Sequence, residues 1–118
     1  MNKLIDYKDT IFIAGGYGMV GKAIYKNLLD AGYGNNNFGG KILRTSREEL
    51  DLTNFNILEK WFKKNKPSVV IITAAKVGGI LANSEKPAEF ILQNLKTEYH
   101  MRVFGITKLE VVMKDNLH

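Results

Sequence analysis

The chain has 118 residues, is 45% hydrophobic and 25% charged, and carries a formal net charge of +5. That size and balance suit a single globular domain with a modest core, and the lack of cysteine excludes disulfides, thiolate metal ligands and a thiol nucleophile. No apolar run approaches the ~20 residues that cross a bilayer, and Met1 to Thr10 lacks the apolar core of a signal peptide, so a cytoplasmic protein without membrane contact is expected.

Thr10 to Ala14 (T-I-F-I-A) is a short apolar, β-branched run, expected as a strand buried on both faces. From Met19 to Ala31 the apolar residues Val20, Ala23, Ile24, Leu28 and Ala31 fall at helical spacing, with Gly32 as a stop. Gly34 to Gly40 (G-N-N-N-F-G-G) is a loop by composition. Lys41 to Thr45 reads as a second strand. Asp51 to Asn54 leads into a second helix, with Thr53 as its N-cap and Ile57, Leu58, Trp61 and Phe62 as core residues. That helix ends before Pro67. Ser68 to Thr73 (S-V-V-I-I-T) is the clearest strand. Pro87 opens a third helix carrying Phe90, Ile91, Asn94 and Leu95, and Ile106 to Met113 is a weaker strand. Glu110 is awkward if that strand is central and buried.

Strands alternating with helices imply a parallel sheet with right-handed crossovers. The expectation is a single α/β domain over residues 1–118: a truncated, Rossmann-like sheet of about four strands with three helices. The densest lysine group, Lys60, Lys63, Lys64 and Lys66, sits at a helix end, where cations suit the dipole. No nucleic-acid partner is expected, although the basic balance suits a phosphorylated small ligand.

Between the first strand and the first helix the chain reads G-G-Y-G-M-V-G. Gly15 allows a tight turn, Gly18 lets backbone approach a phosphate without an intervening Cβ, and Gly21 lets the helix pack close to the strand. The helix N-terminus adds unpaired N–H groups and partial positive charge, so the expected ligand is a dinucleotide pyrophosphate. A turn needed only for packing is the plainer alternative. An NAD site usually has an acidic residue about 20 residues on, at the end of the second strand. Here that strand ends L-R-T-S-R, and Arg44 suits a ribose 2′-phosphate, which argues for NADP(H). Glu48 and Glu49 come later and are expected to face solvent.

G-G-Y-G-M-V-G, L-R-T-S-R-E-E-L-D-L, T-A-A-K-V-G-G-I-L-A-N and P-A-E-F-I-L-Q-N-L together resemble the GDP-L-fucose synthase family. These enzymes are extended short-chain dehydrogenase/reductases of the NAD-dependent epimerase/dehydratase type. The resemblance runs from Thr10 to Leu95 and covers only the front part of the family's usual length, without its substrate domain. It implies epimerisation of GDP-4-keto-6-deoxy-mannose at C3 and C5, then reduction of its 4-keto group by NADPH. Carried over by position, Gly15, Gly18, Met19, Val20 and Gly21 line the pyrophosphate, and Arg44 meets the 2′-phosphate. Asp51 and Leu52 lie by the adenine. Ala74, Ala75 and Lys76 lie toward the ribose and nicotinamide. Val77, Gly78 and Gly79 form the loop toward the active site, and Asn94 stands on a helix bordering the cofactor. Tyr17 departs from the family, where arginine is common.

The family's Ser, Tyr and Lys chemistry has no counterpart here. Tyr7, Tyr17, Tyr25, Tyr33 and Tyr99 have Ile11, Gly21, Leu29, Asn37 and Val103 four positions on, never lysine. No catalytic residue is assigned, and whether the chain is an enzyme by itself is left open. It is expected to be the NADP-binding portion of such an enzyme, incompetent alone; the alternative is a nucleotide-binding module or degenerate remnant that pairs with a second copy or a complementing chain. His100, His118, Asn83, Ser84 and Glu85 are read as ordinary surface or loop residues. Trp61 and Phe62 are read as core, and no metal site is expected.

Overall fold

The computed structural model describes residues 5–46, 48–74, 76–77, 80–81 and 86–113. Strand β1 (Thr10–Ala14) leads into helix α1 (Met19–Asp30), and β2 (Lys41–Arg44) into α2 (Phe55–Asn65). Then follow β3 (Val69–Ala74), the short β4 (Lys76–Val77) and β5 (Ile80–Leu81), helices α3 (Lys86–Leu95) and α4 (Glu98–Phe104), and β6 (Lys108–Met113).

The main sheet has the order β2-β1-β3-β6, and every neighbouring pair is parallel. Thr10 of β1 stands opposite Lys41 of β2, and Ile11 opposite Val69 of β3. Strands β2 and β3 thus lie on opposite sides of β1. Right-handed crossovers then send α1 and α2 to opposite faces. The packing follows, because alternate strand residues point to opposite faces. Ile11, Ile13, Val69 and Ile71 meet Ile24, Tyr25 and Leu28 of α1. Phe12, Ala14, Val70 and Ile72 meet Leu58 and Phe62 of α2, Ile91 and Leu95 of α3, and Phe104 of α4. Both faces of the central strands are buried, which is why they read as unbroken apolar runs.

At the amino ends of the strands, hydroxyl and backbone bonds tie the chain crosswise. Ser68 Oγ donates to Asp9 Oδ1 at 2.7 Å, and Ser68 N–H to the Thr10 carbonyl at 2.9 Å. Thr107 donates to the Ser68 carbonyl through both its N–H (2.7 Å) and its hydroxyl (3.1 Å).

The expected strands and first three helices are present, with shifts at their ends. Helix α1 stops one residue early: Ala31 is the C-cap, and Gly32 follows with φ +97°, its N–H on the Leu29 carbonyl. The N-cap of α2 is Asn54, not Thr53. Asn54 Oδ1 accepts from Ile57 N–H at 3.2 Å, while the Thr53 hydroxyl donates to Asp51 at 2.6 Å. Among the described residues there are also a 3₁₀ turn at Asn36–Phe38, the antiparallel pair β4–β5 and helix α4, none of them expected. Each is too short to show a period. Glu110 is not awkward: among the described residues β6 is the outermost strand, and Glu110 is half-exposed and pairs with Lys108 Nζ at 2.8 Å.

Candidate functional site

In a parallel sheet the loops after each strand leave from one edge. The crevice where the strand order reverses, here between β1 and β3, is where such folds bind ligands. The glycine turn after β1 lies there. Gly16 N–H donates to the Ile13 carbonyl at 3.1 Å, and Gly18 N–H to the Gly15 carbonyl at 3.1 Å, folding residues 13–18 into two successive tight turns.

The four glycines serve different needs. Gly15 has φ +79°, and a Cβ there would strike Thr73 Oγ1. Thr73 is buried and donates from Oγ1 to the Ala14 carbonyl at 3.2 Å, holding the carboxyl ends of β1 and β3 together. A Cβ on Gly21 would run into the Gly15 carbonyl and stand 2.6 Å from Gly16 Cα, so Gly21 seats α1 against the turn. A Cβ on Gly16 would stand 2.6 Å from Cγ of Arg44. Gly18 has no such conflict: its φ is −74°, and an added Cβ makes only an ordinary 3.4 Å contact with the Gly15 carbonyl.

Gly18 is the N-cap of α1 and gives it no side-chain cap, and the first turn holds no acidic residue. The first N–H groups of a helix have no acceptor within it and carry partial positive charge. Met19, the first residue of α1, is 88% exposed, so the helix end opens outward. Val20 has a buried side chain and can offer a ligand only backbone.

Arg44 closes β2, in register with Ile13 of β1. Its guanidinium carbon lies 4.4 Å from the centre of the Tyr17 ring and 3.6 Å from that of Tyr25. It has no hydrogen-bond or ion-pair partner among the described residues. No carboxylate competes from the strand end. Glu49 accepts from Ser46 N–H at 2.9 Å and donates its own N–H to Ser46 Oγ at 3.2 Å, and Glu48 is exposed.

Asp51 stands after β2, at the same edge of the sheet. Hydrogen bonds from the Thr53 hydroxyl and then from Thr53 N–H hold its carboxyl below the usual carboxylate range. Its carboxylate thus shapes the turn into α2, and Leu52 packs against the core. Ala74 ends β3 opposite Met113, and Lys76 stands in β4 opposite Leu81. Asn94 Nδ2 donates to the Phe90 carbonyl at 2.9 Å. Ala75, Gly78 and Gly79, with Arg47, Asn83, Ser84, Glu85 and His118, lie outside the described residues. His100 takes a structural place: Nδ1 is 2.9 Å from the Thr97 hydroxyl, and its ring stacks on Phe104.

The structure thus brings Gly15, Gly18, Gly21 and Arg44 together around the α1 N-terminus. Sequence reasoning assigned no part to Gly16, Tyr25 or Thr73, and saw Tyr17 only as a departure. Thr73 carried a signal, a polar residue closing an otherwise apolar strand. Tyr25 carried none, because its place on α1 reads as core spacing. Among the described residues no group of acidic, histidine or cysteine side chains could hold a metal, and no helix is long and apolar enough to cross a membrane.

The chain is similar to known proteins. The GDP-L-fucose synthase of Sinorhizobium fredii is 45% identical over 95 residues, covering 80% of this chain and 28% of that protein. Putative GDP-L-fucose synthase 2 of Arabidopsis thaliana is 44% identical over 95 residues, covering 80% and 27%. The solved GDP-mannoheptose C4 reductase from Campylobacter jejuni with NADP bound has a TM-score of 0.65 at 28% identity, over 91% of this chain and 33% of that one. The chain therefore spans 27% and 28% of the length of the two curated relatives. The profile of the NAD dependent epimerase/dehydratase family matches residues 11–103. A match across that span, which contains the glycine turn and all of α1, makes this chain a member of the NAD dependent epimerase/dehydratase family.

Proposed function

We propose that this chain binds NADPH at the carboxyl edge of its sheet, as the cofactor-holding part of a GDP-L-fucose synthase-type epimerase and reductase. The observation that carries the proposal is Gly18. The fold does not need a glycine there, yet the residue sits at an uncapped, outward-facing helix N-terminus. A bare Cα at that place lets a pyrophosphate reach the N–H groups of Met19 and Val20. Arg44, whose guanidinium has no acceptor among the described residues, supplies donors for a 2′-phosphate. The names of the curated relatives and the NADP in the Campylobacter reductase support the same reading.

When bound, the cofactor supplies a hydride to a sugar keto carbon. The residues of this chain bind and orient it: Gly15 and Thr73 fix the turn, Gly21 seats the helix, and Arg44 selects the phosphorylated ribose. No tyrosine here has a lysine four positions on, so the chain is assigned no proton delivery. The proposed substrate is GDP-4-keto-6-deoxy-mannose, with a complementing chain providing the proton-delivering groups; a second copy can pair with this chain but brings no Tyr–Lys pair of its own. A module that binds nucleotide without turnover is the second reading, and that missing pair favours it. A cytoplasmic site of action belongs to both readings.

Calorimetric titration with NADPH and with NADH tests the proposal. Hydrogen bonds to charged groups contribute about 1.5–3 kcal/mol each. Arg44→Ala should therefore weaken NADPH about tenfold or more and leave NADH nearly unchanged. A folded protein that binds neither nucleotide overturns the reading.

A further inference from the structure

The geometry points to Tyr17 and Tyr25 as positioning residues that hold the Arg44 guanidinium ready for a phosphate. This rests on the reading that Arg44 meets the 2′-phosphate. The Arg44 guanidinium lies over both rings, at 4.4 Å from the centre of Tyr17 and 3.6 Å from that of Tyr25. Both distances are within reach of a cation–π attraction. Such contacts give the cation's N–H groups no oxygen or nitrogen acceptor. No acceptor among the described residues takes them.

A second observation supports the arrangement. The stem of Arg44 runs against Gly16, where a Cβ would stand 2.6 Å from Cγ, 2.8 Å from Cδ and 3.0 Å from Cβ. Gly16 therefore clears the path that carries the cation back over the glycine turn. A long arginine on a strand end ordinarily samples many rotamers, and fixing it on binding costs entropy. Here the two rings beside the guanidinium and the bare Gly16 beside its stem hold it beforehand. The two rings come from different places, Tyr17 from the turn and Tyr25 from the middle of α1, so the clamp also ties the helix to β2, the strand that comes after it. Tyr17 thus becomes intelligible at a position where the family often has arginine: it presents a ring face to a cation contributed by the neighbouring strand.

The test compares NADPH and NADH affinities for Tyr17→Leu, Tyr25→Leu, Tyr25→Phe and Arg44→Ala. Leucine keeps apolar bulk but removes the ring face, whereas phenylalanine keeps the face and loses only the hydroxyl. Each leucine variant should weaken NADPH about threefold to tenfold and leave NADH unchanged, and Tyr25→Phe should match the parent. In the free protein, the Arg44 Nε–H resonance should carry a ring-current shift that Tyr25→Leu reduces. Tyr25 packs against the core, so its leucine variant can lose stability. Tyr17 is 49% exposed, and its variant decides the matter if Tyr25→Leu fails to fold. The clamp is overturned if Arg44→Ala weakens NADPH while the leucine variants do not, and the binding reading then stands. It is also overturned if the leucine variants weaken both nucleotides equally, or if Tyr25→Phe behaves like Tyr25→Leu. If Arg44→Ala leaves NADPH unchanged, the 2′-phosphate reading fails and takes the clamp with it.

Discussion

Gly21 and Gly18 stand three positions apart in the same turn-and-helix unit, and a methyl group at each meets different surroundings. At Gly21 it would meet the backbone of Gly15 and stand 2.6 Å from Gly16 Cα, with no flexible side chain to move aside. Overpacking of this kind costs about 1–3 kcal/mol, more than the better helix propensity of alanine returns. At Gly18 it would make one ordinary contact, and alanine in place of an N-cap glycine costs only about 0.5 kcal/mol. Gly21→Ala should therefore lower the urea midpoint clearly. Gly18→Ala should leave the midpoint nearly unchanged yet lose NADPH binding. Full NADPH affinity in Gly18→Ala would show that no phosphate approaches there. Thr73 illustrates a different point at this scale. Its partner is the carbonyl of Ala14, 59 positions away, so only the assembled sheet reveals why that hydroxyl closes β3.

At the level of elements, what the sequence made legible depended on length and on burial. Strands β1 and β3 are buried on both faces and read directly as apolar runs. Helix α1 announced itself by apolar spacing and by Gly32, and the glycine turn by composition. The pair β4–β5 has two residues per strand and α4 has seven residues, so neither holds a full pattern. The clamp on Arg44 was hidden for a related reason: it joins a turn, a helix and a strand end, and no local window contains all three. The start of α2 shows local chemistry with two good candidates. Thr53 and Asn54 are both capping residue types, and the decision went to Asn54 because Asp51 captures the Thr53 hydroxyl first. Asn54→Ala should cost about 1 kcal/mol in urea denaturation, and Thr53→Ala clearly less. The reverse order would restore Thr53 as the cap.

For the whole molecule, the net charge of +5 contributes a field in addition to the local contacts. NADPH carries one more phosphate than NADH and should feel that field more. Screening shortens from about 30 Å at 0.01 M salt to about 3 Å at 1 M. NADPH affinity should therefore fall more steeply with salt than NADH affinity in paired titrations. Parallel slopes would mean that the cations, Arg44 included, act on both nucleotides alike. This field adjusts the preference that Arg44 sets.

The bonds that join Asp9, Thr10, Ser68 and Thr107 lie at the sheet margin farthest from the glycine turn. They act like the rivet of a fan: with the strand origins pinned to one another, the spread of the tips is already decided. The loops that issue from those tips can change in length and composition without altering the distances between their roots. A protein lineage can thus rewrite what it recognises at one margin while the other margin keeps the geometry constant.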